Sequence, residues 1–168
     1  RRANIKGLGL ENIGVEAERG IKVDDRMRTN VPNVYAAGDV TGFSLLAHTA
    51  SREGEVAINN ILGKNDRMRY DAIPGVVYTN PEVAGVGLTE EQAKAKNIDF
   101  TVLKLPMAYS GRFVAENEGG EGICKIIVGK KYHEVLGVHM LGNPCSEIIQ
   151  SACIAIEQEM TVEQLKEV

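Results

Sequence analysis

The sequence predicts an α+β protein: an antiparallel sheet flanked by helices across residues 70–168, preceded by a partial α/β segment across residues 1–69. Three observations carry this. From Tyr70 onward, short apolar runs are separated by Gly- and Lys-containing turns, the texture of antiparallel strands. Two longer stretches, about Leu45 to Leu62 and about Pro144 to Glu159, place apolar residues at three- and four-residue intervals, the period of a helix. Between the halves, Lys64-Asn-Asp-Arg-Met-Arg69 is polar and breaks the pattern, which makes it the best boundary.

The first twenty residues are rich in Gly and Asn and show little periodicity. Gly20 to Asp24 alternates as a short strand does. Asn30-Val-Pro-Asn33 reads as a turn, because Pro32 fixes its own φ and biases Val31 toward an extended backbone. Val34 to Ala37 is an apolar run without polar alternation, which predicts a strand covered on both faces. Gly38-Asp39 and a loop through Gly42 follow. The helix from Leu45 then carries Leu46, Ala50, Gly54, Ala57, Ile58 and Ile61 on one face, and Gly63 supplies its stop.

In the second half the predicted strands are Val76 to Thr79, Val83 to Leu88, Phe100 to Leu105, Ile123 to Val128 and Val135 to Leu141. The last two, joined by Gly129 to Glu134, read as an antiparallel hairpin. Thr89-Glu-Glu-Gln92 is a capping box, so a short helix opens there and runs to about Lys96. The helix from Pro144 places Ile148, Ile149, Ala152 and Ile156 on one side, with apolar residues on a further side at Ile154. Thr161-Val-Glu-Gln164 is a second capping box followed by only four residues. With the opening Arg1-Arg2, which lacks a Met, this predicts a sequence cut inside an element at each end.

Composition narrows the function classes. The chain has 168 residues, 43% hydrophobic and 25% charged, with 19 basic against 23 acidic side chains and a formal charge of -4. A phosphate-backbone binder carries a basic surplus or stripe, so nucleic acid is not expected as a partner. No window approaches the roughly 18 uninterrupted apolar residues of a membrane span, and no basic-then-apolar leader is present, so a cytoplasmic location is expected. The cysteines Cys124, Cys145 and Cys153 form no C-x-x-C pair. If Cys145 and Cys153 share a helix, about 1.5 Å of rise per residue holds them about 12 Å apart, beyond the roughly 7 Å Cα reach of a disulfide. Reduced, buried thiols are expected, and no metal site.

The best site candidate is the junction of the Val34–Ala37 run, Gly38-Asp39 and the helix that follows. A carboxylate at the end of a parallel strand accepts hydrogen bonds from ligand hydroxyls, while the next helix offers N–H donors and a positive dipole end. A plain structural turn is the competing reading. His48, early in the helix, is either a surface or capping histidine or a contact for a ligand in that crevice. His133 and His139 have no partners at metal-ligand spacing. Ser110-Gly-Arg112 has no nucleophile-elbow context, and Glu116 to Glu121 reads as a solvated loop.

At this level the residues resemble a known family. Thr29-Asn-Val-Pro-Asn-Val-Tyr-Ala-Ala-Gly-Asp39 resembles the second flavin-binding motif of the flavoprotein disulfide reductases that carry two dinucleotide domains. Leu45-Leu-Ala-His-Thr-Ala-Ser-Arg-Glu-Gly54 is similar to the form that dihydrolipoamide dehydrogenases show beside the flavin ring. Gly75-Val-Val-Tyr-Thr-Asn-Pro-Glu-Val-Ala-Gly-Val-Gly-Leu-Thr-Glu90 resembles the opening of the family's C-terminal dimerisation domain. Arg1-Arg2-Ala-Asn4 with Gly7-Leu-Gly-Leu-Glu11 resembles the exit from its NAD domain.

The resemblance implies that residues 1–69 are the C-terminal part of an FAD-binding domain and residues 70–168 the interface domain. Asp39 would hydrogen-bond ribityl or ribose-side hydroxyls of FAD. Leu45, Leu46, Ala47 and His48 would line the flavin, with the helix N-terminus near its pyrimidine end. The family passes electrons from dihydrolipoamide through a redox disulfide and FAD to NAD+. It implies a homodimer through residues 70–168 and association with a 2-oxo acid dehydrogenase or glycine cleavage complex. It also implies that the dinucleotide motif, the redox cysteines and the NAD domain precede Arg1, and that the catalytic His and Glu follow Val168. On that basis the chain holds no catalytic residue; alone it is expected to be inactive and to hold FAD weakly. A mercuric or glutathione reductase-like sister, or a self-contained dimerisation module, are the alternatives.

Overall fold

In the computed structural model, which describes residues 1–168, contacts group the chain into two units, Arg1–Arg69 and Tyr70–Val168. Its named elements are helix α1 (Ala47–Ile61), strands β1 (Gly75–Val77) and β2 (Val83–Gly87), helix α2 (Glu90–Ala95), strand β3 (Phe100–Pro106), helix α3 (Gly111–Glu116), strands β4 (Ile123–Gly129) and β5 (Val135–Leu141), and helices α4 (Cys145–Glu157) and α5 (Val162–Leu165). Short 3-10 turns lie at Leu10–Asn12, Gly38–Thr41 and Met107–Tyr109.

The second unit is the predicted antiparallel sheet, with strand order β1-β2-β5-β4-β3. The register decides its core. Ala84 faces Met140 and Val86 faces Val138 across β2 and β5, while Cys124 and Ile126 of β4 face the same two residues from the other side. Period-two alternation puts all six on one face. Helix α4 lies on β2 and β5, burying Cys145, Ile149 and Cys153 among these residues together with Met107 and Phe113. Complete burial of one such aliphatic side chain stabilises by about 1.5–3 kcal/mol.

Gly87 and Gly137 sit opposite each other where β2 leaves the sheet. A Cβ at Gly137 would overlap the Leu88 carbonyl, and Gly87 has φ +75°, so both positions require glycine for the close approach. Immediately afterwards the Thr89 capping box forms as read: Thr89 Oγ1 accepts from Gln92 N at 3.2 Å, and Gln92 Oε1 accepts from Thr89 N at 2.9 Å. The second capping box, at Thr161, also forms and starts α5. One element was absent from the sequence reading. Ser110 caps α3 by accepting from Phe113 N, and this turn delivers the buried Phe113 to the core.

The first unit corrects the reading in three places. Neither Gly20–Asp24 nor Val34–Ala37 is a strand: Ile21 and Tyr35 make only isolated bridges, to Ala17 and Arg28. A strand exists through its ladder, and no neighbouring run within this unit is long enough to supply one. The residues of the second run are mostly half-buried, and the local core is a small cluster of Val15, Ile21 and Ala36. Third, α1 ends at Gly63 as expected, where the Lys64 N–H reaches Asn59 O and the Gly63 N–H reaches Asn60 O, but its buried face is rotated. Thr49, Glu53, Val56 and Ala57 are buried, whereas Ile58 and Ile61 are both 56% exposed.

Polar anchors explain the rotation. Ser44 Oγ bonds Thr49 Oγ1 at 3.0 Å, and Asn60 Nδ2 donates to the Asp66 carbonyl at 2.8 Å. Arg52 holds the Asp66 carboxylate through both terminal nitrogens, at 2.9 and 2.7 Å, with Asn59 donating to the same group. These donors hold the Asp66 carboxyl well below the usual carboxylate range, and the carboxylate raises Arg52 in turn.

Candidate functional site

The candidate site is built around the 3-10 turn Gly38–Thr41, which packs against α1. Gly38 is buried with φ +79°, and a Cβ there would come to 3.2 Å from Ala50 Cβ. Glycine therefore lets the turn lie close to the helix. On its other side the turn is crossed by residues 19–21: the Ile21 N–H donates to Val40 O at 2.8 Å, and a Cβ on Gly20 would overlap the Thr41 carbonyl. Gripped from both sides, the turn projects Asp39 into solvent.

The five residues singled out in the sequence are distributed around this junction. Asp39 is exposed in the turn. Leu45 and Leu46 are half-buried in the segment entering α1, and Ala47 and His48 are exposed in its first turn. Leu46, the N-cap residue, has no side-chain oxygen and makes no capping bond, so α1 does not close the positive end of its own dipole. The arrangement offers an anionic acceptor, an apolar entry segment and a positive helix end within one turn-and-helix unit. Such a set suits a ligand with sugar hydroxyls and an electron-rich ring.

The sequence reading missed Glu53. It is fully buried, and its Oε2 accepts the Gly38 N–H at 2.6 Å. The signal was available: Thr49, Glu53 and Asn60 fall four and seven residues apart, a polar stripe inside a helix otherwise read by its apolar residues.

The second unit holds a different concavity, an open cavity of about 380 Å³ on a sheet face, lined by Val83, Gly85, Lys104, Lys125, His139 and Leu141. His139 Nε2 lies 3.0 Å from Leu88 O, which makes that nitrogen the donor, and Lys125 pairs with Glu90 at 3.0 Å. Two of its three polar groups are thus committed to the protein. The cysteines are free thiols. Cys145 and Cys153 are buried on α4, Cys124 is half-buried, and desolvation pushes all three thiols up. No group of three or more His, Cys, Asp or Glu is placed to hold a metal ion, and no helix is long and apolar enough to cross a membrane.

Comparison with known proteins adds an independent line. Residues 73–168 match the model of the pyridine nucleotide-disulphide oxidoreductase dimerisation domain, and residues 1–54 match that of pyridine nucleotide-disulphide oxidoreductase. The chain is 42% identical over 164 residues to the mitochondrial dihydrolipoyl dehydrogenase 1 of Arabidopsis thaliana, covering 96% of the chain and 32% of the relative. It is 43% identical over 167 residues to the dihydrolipoyl dehydrogenase of Bacillus subtilis, covering 98% of the chain and 35% of the relative. Among solved structures, LpdA of Mycobacterium tuberculosis superposes with a TM-score of 0.86 at 30% identity, over 99% of this chain and 37% of that one. The chain thus spans about a third of the length of the curated relatives it matches.

Proposed function

We propose a function that starts from one fact: the chain belongs to the pyridine nucleotide-disulphide oxidoreductase family, with residues 73–168 as the dimerisation domain. On this reading the protein is an FAD-dependent dihydrolipoamide dehydrogenase that oxidises dihydrolipoamide with NAD+. Residues 1–69 supply one wall of the FAD site, and residues 70–168 supply the surface that pairs two subunits. The observation that carries the reading is the junction itself, an exposed carboxylate on a buried glycine turn set against the uncapped start of a helix.

The residues fit the cofactor. The Asp39 carboxylate accepts from ribose or ribityl hydroxyls, and the glycines at 20, 38 and 42 allow the backbone to pack tightly beneath it. The half-buried Leu45 and Leu46 would line the flavin and limit its contact with water, and the exposed Ala47 and His48 with the helix end would supply a positive dipole end toward it. FAD, when bound, supplies two-electron transfer between a dithiol and NAD+. No residue of this chain is assigned to NAD or to the thiol chemistry.

Pairing as a homodimer is supported by α4. Ile149 is buried, while Ile154, on the side of α4 opposite the core, is 53% exposed and Ile148, at the edge of the core face, is 42% exposed. Pairing would cover these two isoleucines, which sit among the exposed Glu147, Gln150 and Ser151, and a permanent interface buries apolar area of this kind. Free thiols fit a reducing, cytoplasmic setting. Association with a 2-oxo acid dehydrogenase or glycine cleavage complex completes the reading, on family membership alone.

The test is made on the protein as its gene encodes it. Purified and loaded with FAD, it is expected to reduce NAD+ with dihydrolipoamide. Asp39→Ala is expected to weaken FAD retention on gel filtration about 10- to 100-fold, the loss of a charge-assisted hydrogen bond. Flavin retention unchanged in Asp39→Ala, or no dithiol-dependent NAD+ reduction, would remove this reading.

A further inference from the structure

Glu53 sits in the middle of α1 with no exposed surface. A carboxyl side chain is costly to bury unless protein hydrogen bonds replace water, and a helix face lined by Val56 and Ala57 has no packing need for one. What the side chain does is reach across fifteen positions of sequence and accept the Gly38 N–H at 2.6 Å. Gly38 immediately precedes Asp39 and is a glycine at φ +79°, the residue type with the widest choice of backbone conformation.

We propose that Glu53 is a positioning residue for FAD: by pinning the Gly38 amide to α1 it fixes the direction in which the Asp39 carboxylate leaves the turn. The inference rests on the reading of Asp39 given above. Its physical basis is preorganisation. A glycine turn free to sample several conformations presents the carboxylate correctly only part of the time, and a ligand must then restrict it on binding. The Glu53 bond removes that freedom before the ligand arrives. It also makes α1 and the turn move as one body, so the helix N-terminus and the carboxylate keep one spacing. Residues 19–21 limit the turn from the opposite side through the Ile21–Val40 bond but do not reach the Gly38 amide, which leaves this task to Glu53.

The experiment is FAD titration of the apo-protein, in the form its gene encodes, followed by quenching of flavin fluorescence. Glu53→Ala is expected to weaken FAD binding about 10- to 100-fold, and Glu53→Gln, which keeps an oxygen acceptor of the same reach, to recover most of the loss. In an Asp39→Ala background, Glu53→Ala is expected to add little, because its effect passes through Asp39. A role in general stability would not show that dependence. If Glu53→Ala fails to fold by circular dichroism, Glu53→Asp replaces it. Its shorter side chain is expected to bind FAD weakly and to leave the Gly38 amide fast-exchanging by NMR, while amides of β5 stay protected. FAD affinity within about twofold of wild type in Glu53→Ala or Glu53→Asp, or losses that simply add to those of Asp39→Ala, would overturn the proposal. A wild-type protein that binds no FAD would overturn the Asp39 reading, and this inference with it. Wild-type binding with indifferent Glu53 variants would overturn this inference alone.

Discussion

The two units of the chain hold their shape by different means. Residues 70–168 are closed by hydrogen-bond ladders: five strands, each paired with a neighbour inside the unit, and one helix laid over the shared core. Residues 1–69 have no ladder. Besides scattered backbone bonds such as Ile21 to Val40 and a small apolar cluster, they are held by side chains that reach backbone or one another: Glu53 to Gly38, Asn60 and Arg52 to Asp66, and Asn30, which donates to Gly14 O and accepts from Glu16 N. The difference teaches that a segment without a ladder can be positioned by individual polar contacts, from the buried Glu53–Gly38 bond to the exposed bonds of Asn30. Such positioning is bond by bond, whereas a ladder is cooperative. On the proposed function it also separates the tasks: the ladder unit would present a pairing surface, and the anchored unit a few aimed groups.

That contrast can be broken or sharpened by substitution. The largest effect is expected in the ladder core. Ile149→Ala removes a buried side chain from between α4 and the sheet and is expected to cost about 2–5 kcal/mol in urea unfolding monitored on the second unit. A loss below about 1 kcal/mol would mean that α4 is not seated on β2 and β5 as described. Next in size is a cap. Thr89→Ala abolishes one half of the capping box of α2 and is expected to cost about 1 kcal/mol, with Thr89→Ser retaining most of the stability.

The smallest and most selective effect belongs to the first unit. Asp66 is held below the usual carboxylate range by Arg52 and Asn59. Because its folded value is depressed, the stability it contributes is present above the unfolded value near 4, and is lost as pH falls through the depressed folded value. Acid titration followed by hydrogen exchange is therefore expected to loosen residues 52–68 while β4 and β5 remain protected. Asp66→Asn should flatten this pH dependence; an unchanged acid profile in that variant would show that another carboxyl governs the unit.

The same contrast explains what the sequence disclosed. The strands of the second unit were legible because each apolar run has its partner within the chain, and the turn residues between them mark the ends. Both capping boxes were legible because the reciprocal bonds need only residues three apart. Val34–Ala37 looked like a buried strand because an apolar run without alternation carries no information on whether neighbours exist. The face of α1 was misread for a related reason: periodicity ranks Ile58 and Ile61 as buriable, but the helix is turned by Thr49, Glu53 and Asn60, whose partners lie far away in sequence. Helix α3 escaped notice because Ser110-Gly111 reads equally well as a loop. At the candidate site, Gly38-Asp39 was visible as a junction, while the bond that fixes it, from Gly38 to Glu53, required the fold.

Residues 70–168 match a dimerisation domain, and the proposed function has them pair two copies of the chain with Ile154 of α4 at the contact. Sedimentation equilibrium of the chain at roughly tens of micromolar tests it most directly, since an obligate pair does not separate at such concentrations. A species of twice 18.2 kDa is expected, reduced to a single chain by Ile154→Asp, which leaves the core untouched. A mass of 18.2 kDa in the unsubstituted protein, at every concentration measured, would contradict it.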